Sequence, residues 1–173
     1  MLLKTARYLL IMKNTEKLIK LLSEKHLTIS SVESLTGGLF AATLASVPGA
    51  SKVLKGALVT YQSNFKTSLL GIKKNVIDKY GVVSDKIASL MVEKAYSLTH
   101  TDIVISFTGN AGPSKEKGKA HVGEVHVAIL CKPSPKKIKK FSKVYKGDRN
   151  SIRSRIVEDS ITLLLKHVRV MFK

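Results

Sequence analysis

The stretch LTISSVESLTGGLFAATLASV, residues 27–47, contains the pattern that determines the fold. Residues 27–33 combine apolar and hydroxyl side chains in a short run that predicts a β-strand. Gly37 and Gly38 follow, and residues 39–47 predict a helix that ends before Pro48. A strand joined by a short turn to a helix is the repeating unit of α/β proteins, so we expect that class.

The rest of the chain repeats this alternation. Leu18, Leu21 and Leu22 have helical spacing and predict a helix from residue 14, with Asn14 or Thr15 as its cap. Further helices are predicted at 67–72, 73–81, 85–99 and 150–168, and further strands at 55–61, 102–109, 123–131 and 139–147. The sequence therefore predicts a single-domain three-layer α/β/α sandwich around a mixed, mostly parallel sheet. We assign residues 1–173 to that domain, with 1–13 as a flexible or non-native extension.

The net charge of +18 raises the question of nucleic-acid binding. Only five of the 30 basic residues are arginine, tryptophan is absent, and the lysines are scattered apart from one cluster at Lys136, Lys137, Lys139 and Lys140. Base and phosphate recognition relies on arginine and exposed aromatic residues. We therefore expect nucleic-acid binding to be non-specific at most, although a basic protein of DNA uptake or repair is the alternative reading of this charge.

Cysteine content and hydropathy indicate the cellular compartment in which the protein is found. Cys131 is the only cysteine, so no internal disulfide forms, and its place at the end of an apolar run predicts a buried residue. The longest apolar run near the N-terminus, residues 8–12, is too short for a secretory signal, and no later segment reaches transmembrane length. We predict a cytoplasmic protein with no membrane partner.

Three places in the sequence carry polar residues that could bind a ligand, and each follows a predicted strand or loop. We consider them because sheets of this class bind ligands beyond their strand ends. Gly37 and Gly38 leave backbone N–H groups at a positive helix end, which suits a carboxylate or a phosphate. The segment TGNAGP, residues 108–113, is a second place, and Arg149 before the last helix is a third. An ordinary helix cap, a plain loop and a solvated arginine are the respective alternatives.

The inventory of catalytic residues favours a serine assisted by a lysine. The five histidines form no HExxH motif or cluster, so we expect no metal site, and no GxSxG motif is present. Ser51, Tyr61 and Lys66 surround one predicted strand. A lysine acts as a base only where its surroundings favour the neutral amine. On pattern alone, ordinary surface residues explain these three positions better than a catalytic group does.

Several motifs in order resemble one known family. The string SSVESLTGGLFAATLASVPGASKVLKGALVTYQSNFKTSLLGI, followed by GVVSDKIASLMVEKA, ISFTGNAGP and VGEVHVAIL, closely resembles the C-terminal domain of the CinA (competence/damage-inducible) family. The resemblance runs from about residue 18 to residue 168. Catalytically active members of this family are nicotinamide-nucleotide amidohydrolases, also called nicotinamide mononucleotide deamidases.

The resemblance implies a role for specific residues. It implies that Ser51 attacks the carboxamide carbon, that Lys66 is the general base and that Tyr61 takes part in proton transfer, with release of ammonia and nicotinate mononucleotide. It also implies a substrate pocket, with Gly37, Gly38 and Gly109 in its glycine-rich loops and with the following matched residues: Ser34, Thr36, Thr108 and Arg149. No metal or organic cofactor is expected, the partner is a small-molecule nucleotide, and a homo-oligomer is compatible with the fold.

The chain also departs from the family pattern. Leu35 replaces a common cysteine, Asn110 stands where an apolar residue is usual, and Ala120, His121 and Glu124 replace parts of a Lys-Pro-Val-Gly-Thr run. The last two changes lie near the expected pocket, where they would alter substrate preference or rate. The alternative function is therefore a catalytically weak pyridine-nucleotide or phosphate-ligand binding module of the same fold.

Overall fold

The computed structural model describes residues 2–114, 120–132 and 137–172, with side chains from residue 6 onward. Six helices are present in these ranges: α1 Leu2–Glu24, α2 Leu39–Ala45, α3 Ser63–Leu70, α4 Lys74–Tyr80, α5 Asp85–Thr99 and α6 Arg149–Met171. The strands are β1 Ile29–Glu33, β2 Leu54–Val59, β3 Ile103–Gly109, β4 Glu124–Cys131 and β5 Lys139–Val144. A short 3₁₀ turn, Ala50–Lys52, precedes β2.

The five strands form one sheet in the order β2-β1-β3-β4-β5. β1 pairs in parallel with both β2 and β3, while β4 is antiparallel to β3 and to β5. Four strands thus run in one direction and only β4 is reversed, which confirms the predicted mixed, mostly parallel sheet. The ends of β1, β2 and β3 at Glu33, Val59 and Gly109 lie at one edge, which we call the carboxyl edge.

Each face of the sheet carries its own hydrophobic core, because side chains alternate along a strand. On β3, Ile103, Ile105 and Phe107 pack in the cluster that contains buried residues of α1, α2 and α6. Val104, between them, packs in the opposite cluster with the apolar face of α5, which includes Ile87. Helices therefore cover both faces, and the predicted three-layer sandwich is confirmed.

The beginnings of the helices are less regular than the sequence suggests. Ser84 caps α5 as its position indicates, since its Oγ accepts a hydrogen bond from the Ile87 N–H at 3.3 Å. The first helix begins at Leu2 rather than at Asn14. Thr15 is fully buried within it, where its hydroxyl donates to the Ile11 carbonyl at 2.7 Å. The predicted cap at residues 14–15 is therefore wrong, and residues 2–13 are helical.

Three further predictions concern membrane-spanning helices, the cysteine and the lysine cluster. Among the described residues, no helix combines the length and apolar character that crossing a bilayer requires. Cys131 is buried, as predicted, and burial raises the pKa of its thiol to about 12. Within the lysine cluster, Lys137, Lys139 and Lys140 are exposed, while Lys136 lies outside the described residues.

A partly buried carboxylate, that of Asp102, joins the starts of β1 and β3. Asp102 Oδ2 accepts hydrogen bonds from the Thr28 N–H at 2.9 Å and from the Thr28 hydroxyl at 2.7 Å. The Lys132 ammonium lies 3.7 Å from Asp102 Oδ1. Burial alone would raise the pKa of Asp102, but the hydrogen bonds from Thr28 and the charge of Lys132 outweigh it, and the pKa is lowered below 3.8.

We expect Asp102→Asn to destabilise the protein at neutral pH and progressively less in acid. A carboxyl group with a lowered folded pKa stabilises the fold above the pKa of the unfolded chain, and this contribution is lost as the pH falls through the folded value. Urea unfolding from pH 7 to pH 3 should show the two proteins converging. Asp78→Asn, which removes an exposed partner of Lys74, is the control; a gap that does not shrink in acid would contradict this assignment.

Candidate active site

The chain segments that leave the carboxyl edge converge because β1 lies between β2 and β3. The Ser34 N–H donates to the Phe107 carbonyl at 3.0 Å, and the Thr60 N–H donates to the Glu33 carbonyl at 2.8 Å. These bonds continue the pairing one residue beyond β1 and β2. Ser34, Thr60 and the end of β3 are therefore neighbours at the carboxyl edge.

A lysine and a serine meet at this edge. Lys66, in the first half of α3, is fully buried, and Ser34 is only 7% exposed. The Lys66 Nζ donates to Ser34 Oγ at 3.0 Å and to the Thr60 carbonyl at 2.7 Å. The Tyr61 carbonyl lies 3.4 Å from the same Nζ. We call Ser34 and Lys66 the serine–lysine centre; their distance permits direct proton transfer between the two groups.

Ser51 lies elsewhere. It is exposed in the 3₁₀ turn before β2, near Val53, whose carbonyl accepts from the first residue of β1. The serine–lysine centre follows the other end of β2, and a strand of that length separates its ends by about 17 Å. Within this chain the structure therefore does not bring Ser51 to Lys66, and the role of Ser51 as nucleophile stays a prediction. The serine that the structure brings to Lys66 is Ser34, which the resemblance placed only in the pocket.

Tyr61 and Arg149 are joined across the carboxyl edge. Arg149, the first residue of α6, donates from Nη1 to the Gly112 carbonyl at 2.6 Å and from Nη2 to the Tyr61 hydroxyl. The Tyr61 side chain is 52% exposed, and its backbone carbonyl rather than its phenol contacts Lys66. The structure thus brings both predicted residues to the edge, while the role of Tyr61 in proton transfer stays a prediction.

The helix end expected to hold a ligand is filled by the protein itself. The carboxylate of Glu33 is fully buried and accepts hydrogen bonds from the N–H groups of Gly38, Phe40 and Ala41 at 2.9, 3.2 and 3.0 Å. The Gly37 N–H donates to the Ser34 carbonyl at 3.0 Å. The N–H groups of Gly37 and Gly38 are therefore not uncovered, contrary to expectation, and substrate contact at these two residues stays a prediction.

Both glycines are needed for the turn instead. They adopt left-handed conformations, with φ of 57° at Gly37 and 92° at Gly38, which other residues rarely adopt. This geometry turns the chain so that α2 begins over the Glu33 carboxylate. Sequence reasoning missed Glu33, although a carboxylate at the end of a buried strand, just before a helix, is a recognisable signal for a charge at the helix N-terminus.

The other predicted pocket residues have mixed roles. Thr36 is buried, and its hydroxyl has no hydrogen-bond partner in the structure. Thr108 is buried too, but its hydroxyl donates to the Val82 carbonyl at 2.7 Å. A Cβ at Gly109 would lie 2.8 Å from the Glu124 carbonyl oxygen, so Gly109 permits the close approach of β4. Thr108 and Gly109 therefore have structural roles, and contact of Thr36, Thr108 or Gly109 with a substrate stays a prediction.

Arg153 is a residue that sequence reasoning missed. Its Nε donates to the Leu35 carbonyl at 3.1 Å and its Nη2 to the Thr36 carbonyl at 2.7 Å, so α6 holds the loop that carries Ser34. Arg149 and Arg153 are four residues apart and thus share one face of α6. That spacing was the available signal for a second arginine at the carboxyl edge.

Two of the residues that depart from the family pattern, His121 and Glu124, belong to a hydrogen-bonded group around His126. His126 lies between two carboxylates, with Nδ1 2.6 Å from Asp85 and Nε2 2.9 Å from Glu124. Glu124 also accepts from the His121 N–H at 2.9 Å. The hydrogen bond from His126 is the main reason that the pKa of Glu124 is lowered. No group of potential metal ligands forms within the described residues.

The protein is thus an α/β sandwich with a buried serine–lysine centre at its carboxyl edge. Sequence comparison identifies the family to which it belongs. The sequence profile of the CinA C-terminal domain matches residues 12–168. The chain therefore belongs to the CinA C-terminal domain family, as the motifs predicted.

Related proteins agree with this assignment. A CinA-like protein of Pseudothermotoga lettingae is 36% identical over 151 residues, which cover 87% of this chain and 36% of that protein. A CinA-like protein of Flavobacterium psychrophilum is 38% identical over 151 residues, covering 86% of this chain and 35% of that protein. The chain thus spans little more than a third of the length of these curated relatives.

Solved structures show the same fold. The competence/damage inducible protein CihA from Agrobacterium tumefaciens superposes with a TM-score of 0.85 at 27% identity, over 91% of this chain and 94% of that one. The competence or damage-inducible protein from Enterobacter asburiae gives a TM-score of 0.86 at 22% identity, over 91% and 98%. At this lower identity the similarity concerns the fold alone.

Proposed function

We propose that this protein is an amidohydrolase that converts nicotinamide mononucleotide to nicotinate mononucleotide and ammonia, with Ser34 as nucleophile and Lys66 as base. The observation that carries the proposal is the 3.0 Å contact between two buried side chains, Lys66 Nζ and Ser34 Oγ. Burial favours the neutral form of a lysine amine, which is the form that accepts a proton. The choice of substrate rests on membership of the CinA C-terminal domain family.

The reaction follows from these two groups. Lys66 takes the hydroxyl proton as Ser34 Oγ attacks the carboxamide carbon, and the carbonyl oxygen becomes an oxyanion. The Lys66 ammonium then returns the proton to the nitrogen, the C–N bond breaks and ammonia leaves. Water, deprotonated by Lys66, hydrolyses the acyl ester, which releases the carboxylate and restores Ser34.

Arg149 is suited to the substrate phosphate. Its two hydrogen-bond acceptors, the Tyr61 hydroxyl and the Gly112 carbonyl, are uncharged. A phosphate dianion is a stronger acceptor for a guanidinium than either, so a nucleotide would compete with them for Arg149. Such an exchange would release the Tyr61 phenol from Arg149 at the carboxyl edge, which would leave it available for proton transfer.

The first experiment measures ammonia and nicotinate mononucleotide released from nicotinamide mononucleotide by the wild-type protein. The proposal requires both products in equal amounts, in proportion to enzyme concentration. A folded protein that binds the nucleotide without releasing ammonia would contradict the proposal and support the alternative of a binding module. Cytoplasmic location and self-association stay predictions.

We expect Arg149→Met to raise KM for nicotinamide mononucleotide by about tenfold or more, because a charge-assisted hydrogen bond to phosphate is lost. Nicotinamide riboside, which lacks the phosphate, should be processed equally by the variant and the wild type. Arg155→Met is the matched control on α6, since Arg155 hydrogen-bonds the Lys146 carbonyl. Equal losses for the nucleotide and the nucleoside would argue against a phosphate contact.

A further inference from the structure

Four buried side-chain atoms have no hydrogen-bond partner within the described residues, and three of them belong to the carboxyl edge. They are Thr36 Oγ1, Thr60 Oγ1 and Asn110 Nδ2, which follow β1, β2 and β3 respectively. The fourth, Ser160 Oγ, lies within α6. A buried polar group without a partner is uncommon in native proteins and calls for an explanation. Asn110 is the most informative of the three, because a hydroxyl can reorient and an amide N–H cannot become an acceptor.

Every other polar group of Asn110 is engaged. The residue is 4% exposed, its backbone N–H donates to the Glu124 carbonyl at 2.8 Å, and its carbonyl accepts from the Gly123 N–H at 2.7 Å. Its Oδ1 accepts from the Gly112 N–H at 3.0 Å. Exchanging the oxygen and nitrogen of the amide would place two donors against each other. The side-chain orientation is therefore fixed, and the unpartnered atom is the donor Nδ2.

The fold does not require an amide at this position. The turn at 110–112 needs only an acceptor for the Gly112 N–H, which is Oδ1, and Nδ2 takes no part in the turn. A buried donor with no acceptor reduces the stability of the fold unless a ligand or a water molecule accepts its hydrogen bond. What distinguishes asparagine here is thus the Nδ2 group, which has no hydrogen-bond partner among the described residues.

The surroundings of Asn110 indicate which ligand atom it meets. The Gly112 N–H donates to Asn110, and the Gly112 carbonyl accepts a hydrogen bond from Arg149. Asn110 therefore belongs to the loop that contacts the proposed phosphate site. The reaction needs a donor for the carboxamide oxygen, which gains negative charge. The N–H groups of Gly37 and Gly38, expected to donate there, are occupied by Ser34 and Glu33.

We infer that Asn110 is a substrate-contacting residue whose Nδ2 donates a hydrogen bond to the carboxamide oxygen of the bound nucleotide. This inference rests on the proposed function and adds a donor that no backbone group of the predicted glycine turn supplies. It also gives a physical role to a residue at which this chain departs from the usual apolar side chain. The contact would also discriminate between ligands with and without a carboxamide oxygen, because a ligand that lacks an acceptor at that point leaves Nδ2 buried and unpaired.

The kinetic test compares Asn110→Asp, which keeps the acceptor for Gly112 but lacks the donor, with Asn110→Leu, which lacks both. Both variants should lower kcat by at least about tenfold, with a smaller change in KM, since the bond strengthens as the oxyanion forms. Ser160→Ala, which removes the unpartnered hydroxyl in α6, is the matched control and should retain wild-type kinetics. Kinetics of both Asn110 variants that equal those of the control would overturn the inference.

A spectroscopic test avoids any loss of folding in the variants. In ¹⁵N-labelled Ser34→Ala protein, the side-chain NH₂ signals of Asn110 are assigned by their absence when Asn110→Asp is added. Saturating nicotinamide mononucleotide should shift these signals and slow their exchange with water, while ribose 5-phosphate, which lacks the carboxamide, should not. Unmoved signals would mean that a buried water serves Nδ2, and equal shifts with both ligands would assign it to the sugar phosphate; either result overturns the inference.

The outcomes also separate this inference from the proposed function. Wild-type turnover that depends on Ser34 but not on Asn110 would leave the amidohydrolase intact and remove only the inferred contact. Absence of both turnover and binding by the folded wild type would overturn the proposed function, and the inferred contact would fall with it.

Discussion

The Ser34→Ala variant is expected to lose turnover of nicotinamide mononucleotide by at least about a thousandfold, whereas Ser51→Ala should remain within about twofold of the wild type. Removing the nucleophile eliminates the acyl intermediate, so no other group can take its place. Ser51 is exposed in the turn before β2, whereas Lys66 follows the other end of that strand, so we expect the Ser51 hydroxyl to take no part in the reaction. The measurement is kcat/KM for both variants, with circular dichroism to verify that each is folded.

Trapping the intermediate makes the same comparison without relying on lost activity. After rapid acid quench of wild-type protein mixed with substrate, the peptide that contains Ser34 should carry the acyl group, and the peptide that contains Ser51 should not. An acyl group on Ser51, or full activity of Ser34→Ala, would show that the serine in contact with Lys66 is not the nucleophile.

Substitution of Glu33 is expected to have the largest effect on stability. Its carboxylate accepts three backbone N–H groups at the start of α2 and the Ser31 hydroxyl at 2.9 Å, all within the protein interior. Glu33→Ala leaves these donors buried and unsatisfied, so we expect a loss of about 3–5 kcal/mol in the free energy of unfolding. Glu33→Gln should cost about 2–4 kcal/mol, because the amide NH₂ would face N–H donors.

Urea denaturation at pH 7 measures both changes. Glu24→Gln is the matched control, since Glu24 is exposed and pairs with Lys20 on the surface of α1, and it should change the free energy of unfolding by less than about 0.5 kcal/mol. Glu33 variants as stable as this control would show that the α2 N-terminus is satisfied by other groups. In that case the helix end would again be available to a ligand, as the sequence first suggested.

Most of the fold could be predicted from local patterns. The strand and helix positions follow from periodicity, and the glycine pair after β1 and the serine before α5 mark the helix starts. The first residue of α1 was harder to predict, because Thr15 resembles a helix cap in the sequence. In the structure its hydroxyl donates to the Ile11 carbonyl within a continuous helix. Which strand is reversed depends on long-range pairing, and local patterns carry no information about it.

The candidate site was harder to predict for a geometric reason. Ser51 and Lys66 flank one strand, and proximity in sequence suggested proximity in space, although an extended strand separates its ends. Ser34 reaches Lys66 because β1 and β2 are adjacent and parallel, which only the assembled sheet determines. The anion-binding character of the α2 N-terminus was recognised correctly, but the sequence pattern could not specify that Glu33 would occupy it.

The neighbouring positions of Glu33 and Ser34 limit how this domain can change in evolution. One residue supports α2 from within, and the next supplies the hydroxyl at Lys66. Consecutive side chains of an extended segment point to opposite sides, so a single-residue insertion or deletion in β1 would exchange their environments. We therefore expect homologous chains to keep the length of the segment from Ile29 to Gly38 as strictly as they keep Glu33 and Ser34 themselves.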